Sequence, residues 1–501
     1  MSSSGQVVRP LGPCEIYSSS RHFLGFYKCV ANTCRYSVPK SGLGHQPVQN
    51  VLEVAVANVV LATPTLAVAI RGQEGSRPYF VRPPIIRMEH HIEYIVKPRN
   101  DTKDWMLLRT LEEQHDKTWP DIDQRPPWKL IVVIEDLLPG DEVLVFDAVF
   151  AAHHAIADGR STAEFHIKLL KELNGPPIPP RELSSGVLDT TGLPELPLPQ
   201  EQVVPFTTSW GFLIRTLLRE LGPAWLLGGR FGGFWTGDPV TREPCRTRLR
   251  LVTIPAASAP RILEACRRQH VTLTSLLHAL VLASMARRLG SEQADAFRSS
   301  TPIDLRPFIK DHQYRAKPGF LFGVYVTAQS HIHDANLVKA MRKDFSEAMV
   351  WKVATTLRNN IKQHVANIPK DDIMSMLGWV TDWNQFWLSK VGKPRHDTWE
   401  VSNIGSICPS YGEGDGSGQG GWRIQRSILS QGATVAGAAI SVSVAGVAGC
   451  GIRLGLGWQE GIVEEGLVDG LTTDLQCWLD NLGRGGAHFL SCPSKEEADA
   501  F

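Results

Sequence analysis

At 501 residues the chain is too long for one hydrophobic core, so two units of roughly 200 residues each are expected. Apolar residues make up 43% and charged residues 21%, an ordinary globular balance, and a formal net charge of +1 supplies no global field toward nucleic acid or acidic partners. The nine cysteines are scattered and form no C-x-x-C pair, which argues against a zinc site or a disulfide framework and for a reducing compartment.

In chain order, residues 1–9 are polar and lack an apolar signal segment, so secretion is not expected. Residues 51–70 are long and apolar. Residues 128–134 are rich in β-branched side chains and bounded by proline pairs and Pro-Gly, and they read as a strand. A second strand, 143–152, is expected to pair with it as a hairpin. Residues 175–205 contain eight prolines and read as an extended crossover with no core of its own. The expected organisation is therefore an N-terminal unit at 1–174, the crossover at 175–205, a C-terminal unit at 206–486 and a frayed tail at 487–501.

Residues 205–235 are aromatic-rich but interrupted by Arg215, Arg219 and Arg230. A helix pair packed on the body or lining an apolar pocket is the first reading, and a helix lying on a membrane surface is the second. No stretch reaches 18 consecutive apolar residues, so no transmembrane span is expected. Beyond this point the pattern predicts strands at 249–254, 319–328, 398–404, 438–445 and 452–459, and helices at 259–269 and 272–289. The second helix is buried across 276–286. Residues 411–421 are glycine-rich without a phosphate-loop pattern and read as a mobile hairpin loop.

The most informative segment is His153-His154-Ala155-Ile156-Ala157-Asp158-Gly159. If the strand at 143–152 runs into it, alternation puts Leu144, Phe146, Ala148, Phe150, Ala152 and His154 on one face, apolar until its last member. Desolvation there disfavours the imidazolium, leaving the neutral ring a general base requires. Gly159 offers conformational freedom, and Ser161 with Glu164 forms an S-x-x-E capping box for the helix that follows. Asp158 has two available roles. It can orient a histidine ring, or it can bind an arginine and hold the loop, with Arg306 as the partner. A metal site is not expected, because adjacent histidines on a strand point to opposite faces.

These residues match the HHxxxDG motif of condensation domains and acyl-CoA-dependent acyltransferases of the chloramphenicol acetyltransferase-like fold. The wider chain resembles the fungal alcohol O-acetyltransferase family. Supporting stretches are 9–12 with Glu15, 21–27, 127–130, 304–307, 322–324 and 401–405. The resemblance implies an α/β fold of two similar domains, each a mixed sheet with flanking helices, meeting at an active-site tunnel. It implies His154 as general base, His153 in support, and Asp158 as a structural residue salt-bridged to Arg306. It also implies acetyl-CoA as co-substrate, with no permanently bound cofactor, and a small-molecule alcohol as acceptor, hydrophobic or from secondary metabolism.

Oxyanion or tunnel donors are sought among Ser402, Asn403, Ser430 and Gln431. The aspartate of a plant-type DFGWG motif is absent from the nearest text, Gly455-Leu456-Gly457-Trp458, and no carrier-protein signature is present. A standalone cytoplasmic monomer is expected, with peripheral contact to the endoplasmic reticulum or a lipid droplet as a further option. Amide formation, transfer from a carrier protein, ligand binding without turnover and cyclisation are the competing uses of the same fold.

Overall fold

The computed structural model describes residues 5–43, 46–98, 104–135, 140–221, 233–317, 319–320, 322–408, 421–486 and 488–492. Eleven strands form its two main sheets: β1 (Val30–Pro39), β2 (Ile92–Lys97), β3 (Trp128–Glu135), β4 (Val143–Ala152), β5 (Thr247–Ile254), β6 (Phe297–Asp304), β7 (Val326–His333), β8 (Trp399–Ile407), β9 (Arg423–Gln431), β10 (Ile440–Val447) and β11 (Gly451–Gln459). The helices used below are α1 (Pro13–Phe23), α2 (Val48–Leu61), α3 (Trp105–Asp116), α4 (Gly159–Asn174), α5 (Trp210–Leu221), α6 (Ala259–Arg268), α7 (Leu273–Arg288), α8 (Glu347–Asn367), α9 (Trp383–Leu388) and α10 (Glu465–Arg484).

The first sheet has the order β9-β1-β4-β3-β2 and the second β5-β11-β10-β8-β6-β7. Both are mixed. β2 runs parallel to β3, and β8 runs parallel to both of its neighbours. The expected hairpin is present, with Trp128 opposite Ala152. β9 comes from the second half of the chain but extends the first sheet, pairing antiparallel with β1 from Arg423 opposite Ser37 to Gln431 opposite Val30. The two halves are thus tied by a shared strand.

Glycine makes the close crossing of β9 and β11 possible. A Cβ on Gly455 would stand 2.7 Å from the Leu429 carbonyl oxygen, and one on Gly457 would stand 3.1 Å from that of Gln431. The two glycines are two residues apart, so they share one face of the strand. The Gly-Leu-Gly-Trp stretch is therefore a contact between sheets.

β4 carries buried side chains on both faces. Leu144, Phe146, Ala148, Phe150 and Ala152 pack in the core shared with α2 and α4. Val149 and Ala151 pack on the other side with Leu107 and Leu111 of α3. Phe150 stacks on Phe165 of α4 with ring centroids 3.8 Å apart. Each such fully buried side chain contributes about 1.5–3 kcal/mol. Strand and helix are therefore firmly joined on either side of the turn that holds the histidines. In the second half α7 is buried at every residue from Leu276 to Ala286, between the sheet and helices α8 and α10.

Several expectations are corrected. The crossover has short strands at Leu183–Ser184 and Val187–Asp189 and a short helix at Gln200–Val203. Its Leu188 and Leu196 enter the first core, and Val204 packs with Tyr314, Phe320 and Tyr325. Proline-rich composition prevents a core of its own but not packing onto neighbours. The strand expected at 319–328 begins only at Val326, because the preceding segment is the loop that meets the histidine turn. Phe489 and Leu490 of the tail pack into the second core, and Cys492 is bonded to Cys477 of α10, so not every cysteine is free.

α5 buries Leu213 and Thr216 and exposes Trp210, Ile214 and Leu218. The rest of that aromatic stretch, 222–232, and the glycine-rich segment 409–420 lie outside the described residues. Among the described residues no single helix is long and apolar enough to cross a membrane. Only the bent pair α6 and α7 meets that criterion together, and α7 is core.

Candidate active site

β4 ends at Ala152, before the histidines, and a turn takes over. His153 N–H donates to the Pro127 carbonyl at 2.9 Å, and Ile156 N–H donates back to the His153 carbonyl at 3.0 Å. This turn, not the strand pleat, aims the two rings. The result differs from simple alternation: His153 is wholly buried and His154 keeps partial exposure. His153 Nδ1 accepts from Ala155 N–H at 2.9 Å, and its Nε2 lies 3.4 Å from Gln73 Nε2. Its ring meets that of His22 edge-on at 4.6 Å. A ring engaged on both nitrogens is held in place and is not available to a substrate.

His154 is different. Its Nδ1 is buried without a hydrogen-bond partner among the described residues, so its accessible edge lies elsewhere on the side chain. The ring packs edge-on against Tyr27 at 5.5 Å. Burial first, and the positive charge of Arg21 second, push its pKa down to about 4, against the opposing pull of Asp158. At neutral pH the ring is therefore uncharged.

Asp158 does not reach a histidine. It accepts from Ser161 N–H at 2.8 Å and Tyr325 N–H at 3.0 Å, and Arg306 grips both of its oxygens, at 2.9 and 3.0 Å. Arg306 also binds Asp304 at 2.9 Å and lies over the Tyr325 ring. Burial alone would raise the Asp158 pKa. The charge and hydrogen bonds of Arg306, with the two N–H groups, outweigh it and hold the carboxyl below its ordinary value. Asp158 N–H donates to the Gly323 carbonyl at 3.1 Å, so the turn is tied to the loop before β7 as well.

Two local readings change. The N-cap of α4 is Asp158 itself, accepting from Ser161 N–H, rather than a Ser161–Glu164 box. Ser161 Oγ instead bonds the Gly323 main chain and Arg306. Gly159 is required by space and not by an unusual φ: a Cβ there would lie 2.9 Å from Ile404 Cγ2 of β8.

The four expected donors are dispersed in their contacts. Ser430 is buried and paired with His115 Nε2 at 2.8 Å. Asn403 donates to Thr274 Oγ1 at 3.1 Å and accepts from Gly405 N–H. Gln431 donates to Glu400 at 2.9 Å and faces the Tyr27 hydroxyl at 3.4 Å. Ser402, next to Asn403 on β8, is part-exposed. The site also contains Tyr27, Arg21 and Glu400. Arg21 and Tyr27 lie in the stretch 21–27 that carried the family resemblance, so that signal was present without a role attached; Glu400 had none. Among the described residues no group of three or more His, Cys, Asp or Glu side chains could hold a metal ion. A cavity of about 1430 Å³, lined by Trp235, Arg248, Arg287 and Trp458 among others, has none of these site residues in its lining. Chemistry rather than volume locates the site.

The alcohol acetyltransferase family model matches residues 116–467. The probable alcohol acetyltransferase FCK4 of Fusarium pseudograminearum (strain CS3096) is 30% identical over 486 residues, 96% of each chain. The probable alcohol acetyltransferase crmB of Aspergillus fumigatus is 26% identical over 91% of this chain and 96% of its own. Among solved structures, the TRI3 trichothecene 15-O-acetyltransferase from Fusarium sporotrichioides aligns with a TM-score of 0.69 at 11% identity, covering 95% of this chain and 94% of that one. The first condensation domain of the CDA synthetase aligns at 0.54 and 14% identity, covering 98% and 99%. The fold is that of the chloramphenicol acetyltransferase-like and condensation-domain group, and the chain belongs to the alcohol acetyltransferase family and is an acyltransferase.

Proposed function

We propose that the protein transfers an acetyl group from acetyl-CoA to the hydroxyl of a small-molecule alcohol, with His154 as general base. The observation that carries this reading is the contrast within the motif. His153 is engaged on both nitrogens, whereas His154 is neutral, partly accessible and, among the described residues, without a hydrogen-bond partner on Nδ1.

In the reaction, His154 takes the proton of the acceptor hydroxyl as the oxygen attacks the thioester carbon. The carbon–oxygen bond forms, the carbonyl electrons move to oxygen, and a tetrahedral oxyanion results. Its collapse breaks the carbon–sulfur bond, and His154 returns the proton to the sulfur. The products are the ester and free CoA. No covalent enzyme intermediate is required, because the thioester is already activated. Asp158 and Arg306 hold the turn without entering the chemistry, and His153 fixes its first residue. A base with a pKa near 4 becomes stronger as negative charge develops beside it, so proton transfer is coupled to oxyanion formation.

Tyr17, Phe26, Trp383 and Trp387 form a largely buried aromatic cluster behind Arg21 that supports the site. The test is CoA release from acetyl-CoA across a panel of alcohols, with mass spectrometry of the ester. His154→Ala is expected to lose about 10²–10⁴-fold in turnover. Near-normal turnover by the folded variant would overturn the assignment.

A further inference from the structure

Arg21 is unlike the other enclosed arginines. Arg9 pairs with Glu15, Arg35 and Arg426 with Asp104 and Asp147, and Arg306 with Asp158 and Asp304. Arg21 has no ion pair and no side-chain hydrogen bond among the described residues, and its Nε is buried without a partner. The Nε is desolvated without an acceptor, which is costly unless something compensates it, while the side chain as a whole keeps partial exposure.

Part of the compensation is aromatic. The guanidinium carbon lies 4.3 Å from the ring centre of Tyr17, 4.9 Å from that of Tyr27 and 5.9 Å from that of Trp387. Ring faces stabilise the charge and fix its position, but they accept none of its N–H groups. Tyr27 is also the ring against which His154 packs, at 5.5 Å, so the cation and the base flank one side chain. The positive charge of Arg21 is felt at both motif histidines.

We propose that Arg21 is the oxyanion-binding group of this site: its guanidinium N–H groups receive the thioester carbonyl oxygen as that oxygen becomes negative in the tetrahedral intermediate. The inference rests on His154 acting as the base. The alternative donors are largely occupied: the Ser430 hydroxyl by His115, the Asn403 amide by Thr274, and the Gln431 amide by Glu400. Ser402 is left as a secondary donor. The arrangement also links the two halves of the step. In the resting site Arg21 adds to burial in keeping His154 unprotonated. Once the oxyanion forms on Arg21, that repulsion is offset and the imidazolium is stabilised.

The rival reading makes Arg21 a counter-charge for Glu400, with which it interacts electrostatically without a direct ion pair. The experiment is steady-state kinetics of the full-length enzyme with acetyl-CoA and the best alcohol, for Arg21→Gln, Arg21→Lys and Arg21→Gln/Glu400→Gln. Arg21→Gln is expected to lose about 10²–10³-fold in kcat with KM for either substrate little changed. Its acid limb of kcat/KM against pH should move to higher pH, because removing a nearby cation raises the proton affinity of His154. Arg21→Lys should be intermediate.

A kcat for folded Arg21→Gln within about twofold of wild type, where a lost oxyanion donor should remove far more, would overturn the proposal. So would an unmoved acid limb, or rescue by Glu400→Gln. If the variants fail to fold, phenylglyoxal labelling of the wild-type enzyme decides. Arg21 should label in the free enzyme and be protected by acetyl-CoA, and labelling indifferent to acetyl-CoA overturns the assignment. An inactive His154→Ala beside an active Arg21→Gln removes only the Arg21 role, whereas an active His154→Ala removes the base on which it rests.

Discussion

Two groups of three histidines sit in the two halves of the molecule. In the second half, His278, His331 and His333 lie buried beneath the sheet. Trp399 Nε1–H donates to His278 Nδ1 at 3.0 Å, so the ring proton of His278 is on Nε2, facing the Thr301 hydroxyl at 2.8 Å. That hydroxyl then donates to His331 Nε2 at 2.9 Å, and Ser299 meets His333 Nε2 at 2.9 Å. The chain of donors has a direction, and every ring in it is neutral. In the first half His22, His153 and His154 are also desolvated, and their pKa values are also depressed. Here the network is incomplete: among the described residues, His22 Nδ1 and His154 Nδ1 have no partner. Burial and low proton affinity are common to both groups and cannot tell a catalyst from a core residue. What separates them is partial access and an unfilled hydrogen-bonding capacity beside a clamped turn.

The contrast is most directly broken at its two extremes. His154→Ala should lose about 10²–10⁴-fold in turnover while its urea midpoint stays near that of wild type. Arg306→Ala should act first on stability. It leaves Asp158 buried without its counter-charge, a loss of about 3–5 kcal/mol, read as a lower urea midpoint and lower soluble yield, with activity falling alongside. An Arg306→Ala protein as stable as wild type would mean that the loop is held by Ser161, Tyr325 and Gly323 alone. His278→Ala should destabilise by about 2–4 kcal/mol, since it opens a cavity and strands Trp399 Nε1 and Thr301. Its turnover per folded molecule should be nearly unchanged. If His278→Ala instead lost turnover at full stability, the division between the two groups would fail.

Legibility in the sequence followed the strength of local patterns. β3 and β4 are β-branched and turn-bounded, and α6 and α7 are periodic, so these were readable within a few residues. β1 was not, because Asn32, Thr33, Arg35 and Ser37 interrupt its apolar pattern. Two of those side chains show their partners only in the fold, Arg35 in Asp147 and Asn32 Oδ1 in the Ser427 hydroxyl. The transfer of β9 into the first sheet is a long-range pairing with no local signature. At the site, Arg306 was readable as a partner for Asp158. The closeness of Gly159 to Ile404 was not, since it depends on β8, which is remote in sequence. Arg21 was marked only as part of the stretch 21–27, with no role: an arginine looks like any other until its lack of partners among the described residues can be seen.

Acid response tests the neutral state that the two groups share. The second-half histidines are held below their ordinary pKa by burial first, His331 to about 4 and His333 to about 3, with His278 well below its usual value. In the unfolded chain all three return to about 6.5. Between about pH 6.5 and the folded values, the unfolded state therefore binds more protons than the folded one, and stability falls as pH falls. Each histidine contributes a slope of up to about 1.4 kcal/mol per pH unit inside that window, and none above it. Asp158, depressed by Arg306, adds to the decline only at lower pH, as its own carboxyl protonates. Urea unfolding across pH 4–7 should show this slope in wild type. It should be shallower by about one proton in His333→Gln, which keeps a polar group near Ser299 but has nothing to titrate. An equal slope in the two proteins would show that His333 is already protonated in the fold. The second-half network would then be charged, and the contrast with the first-half group would have to rest on access alone.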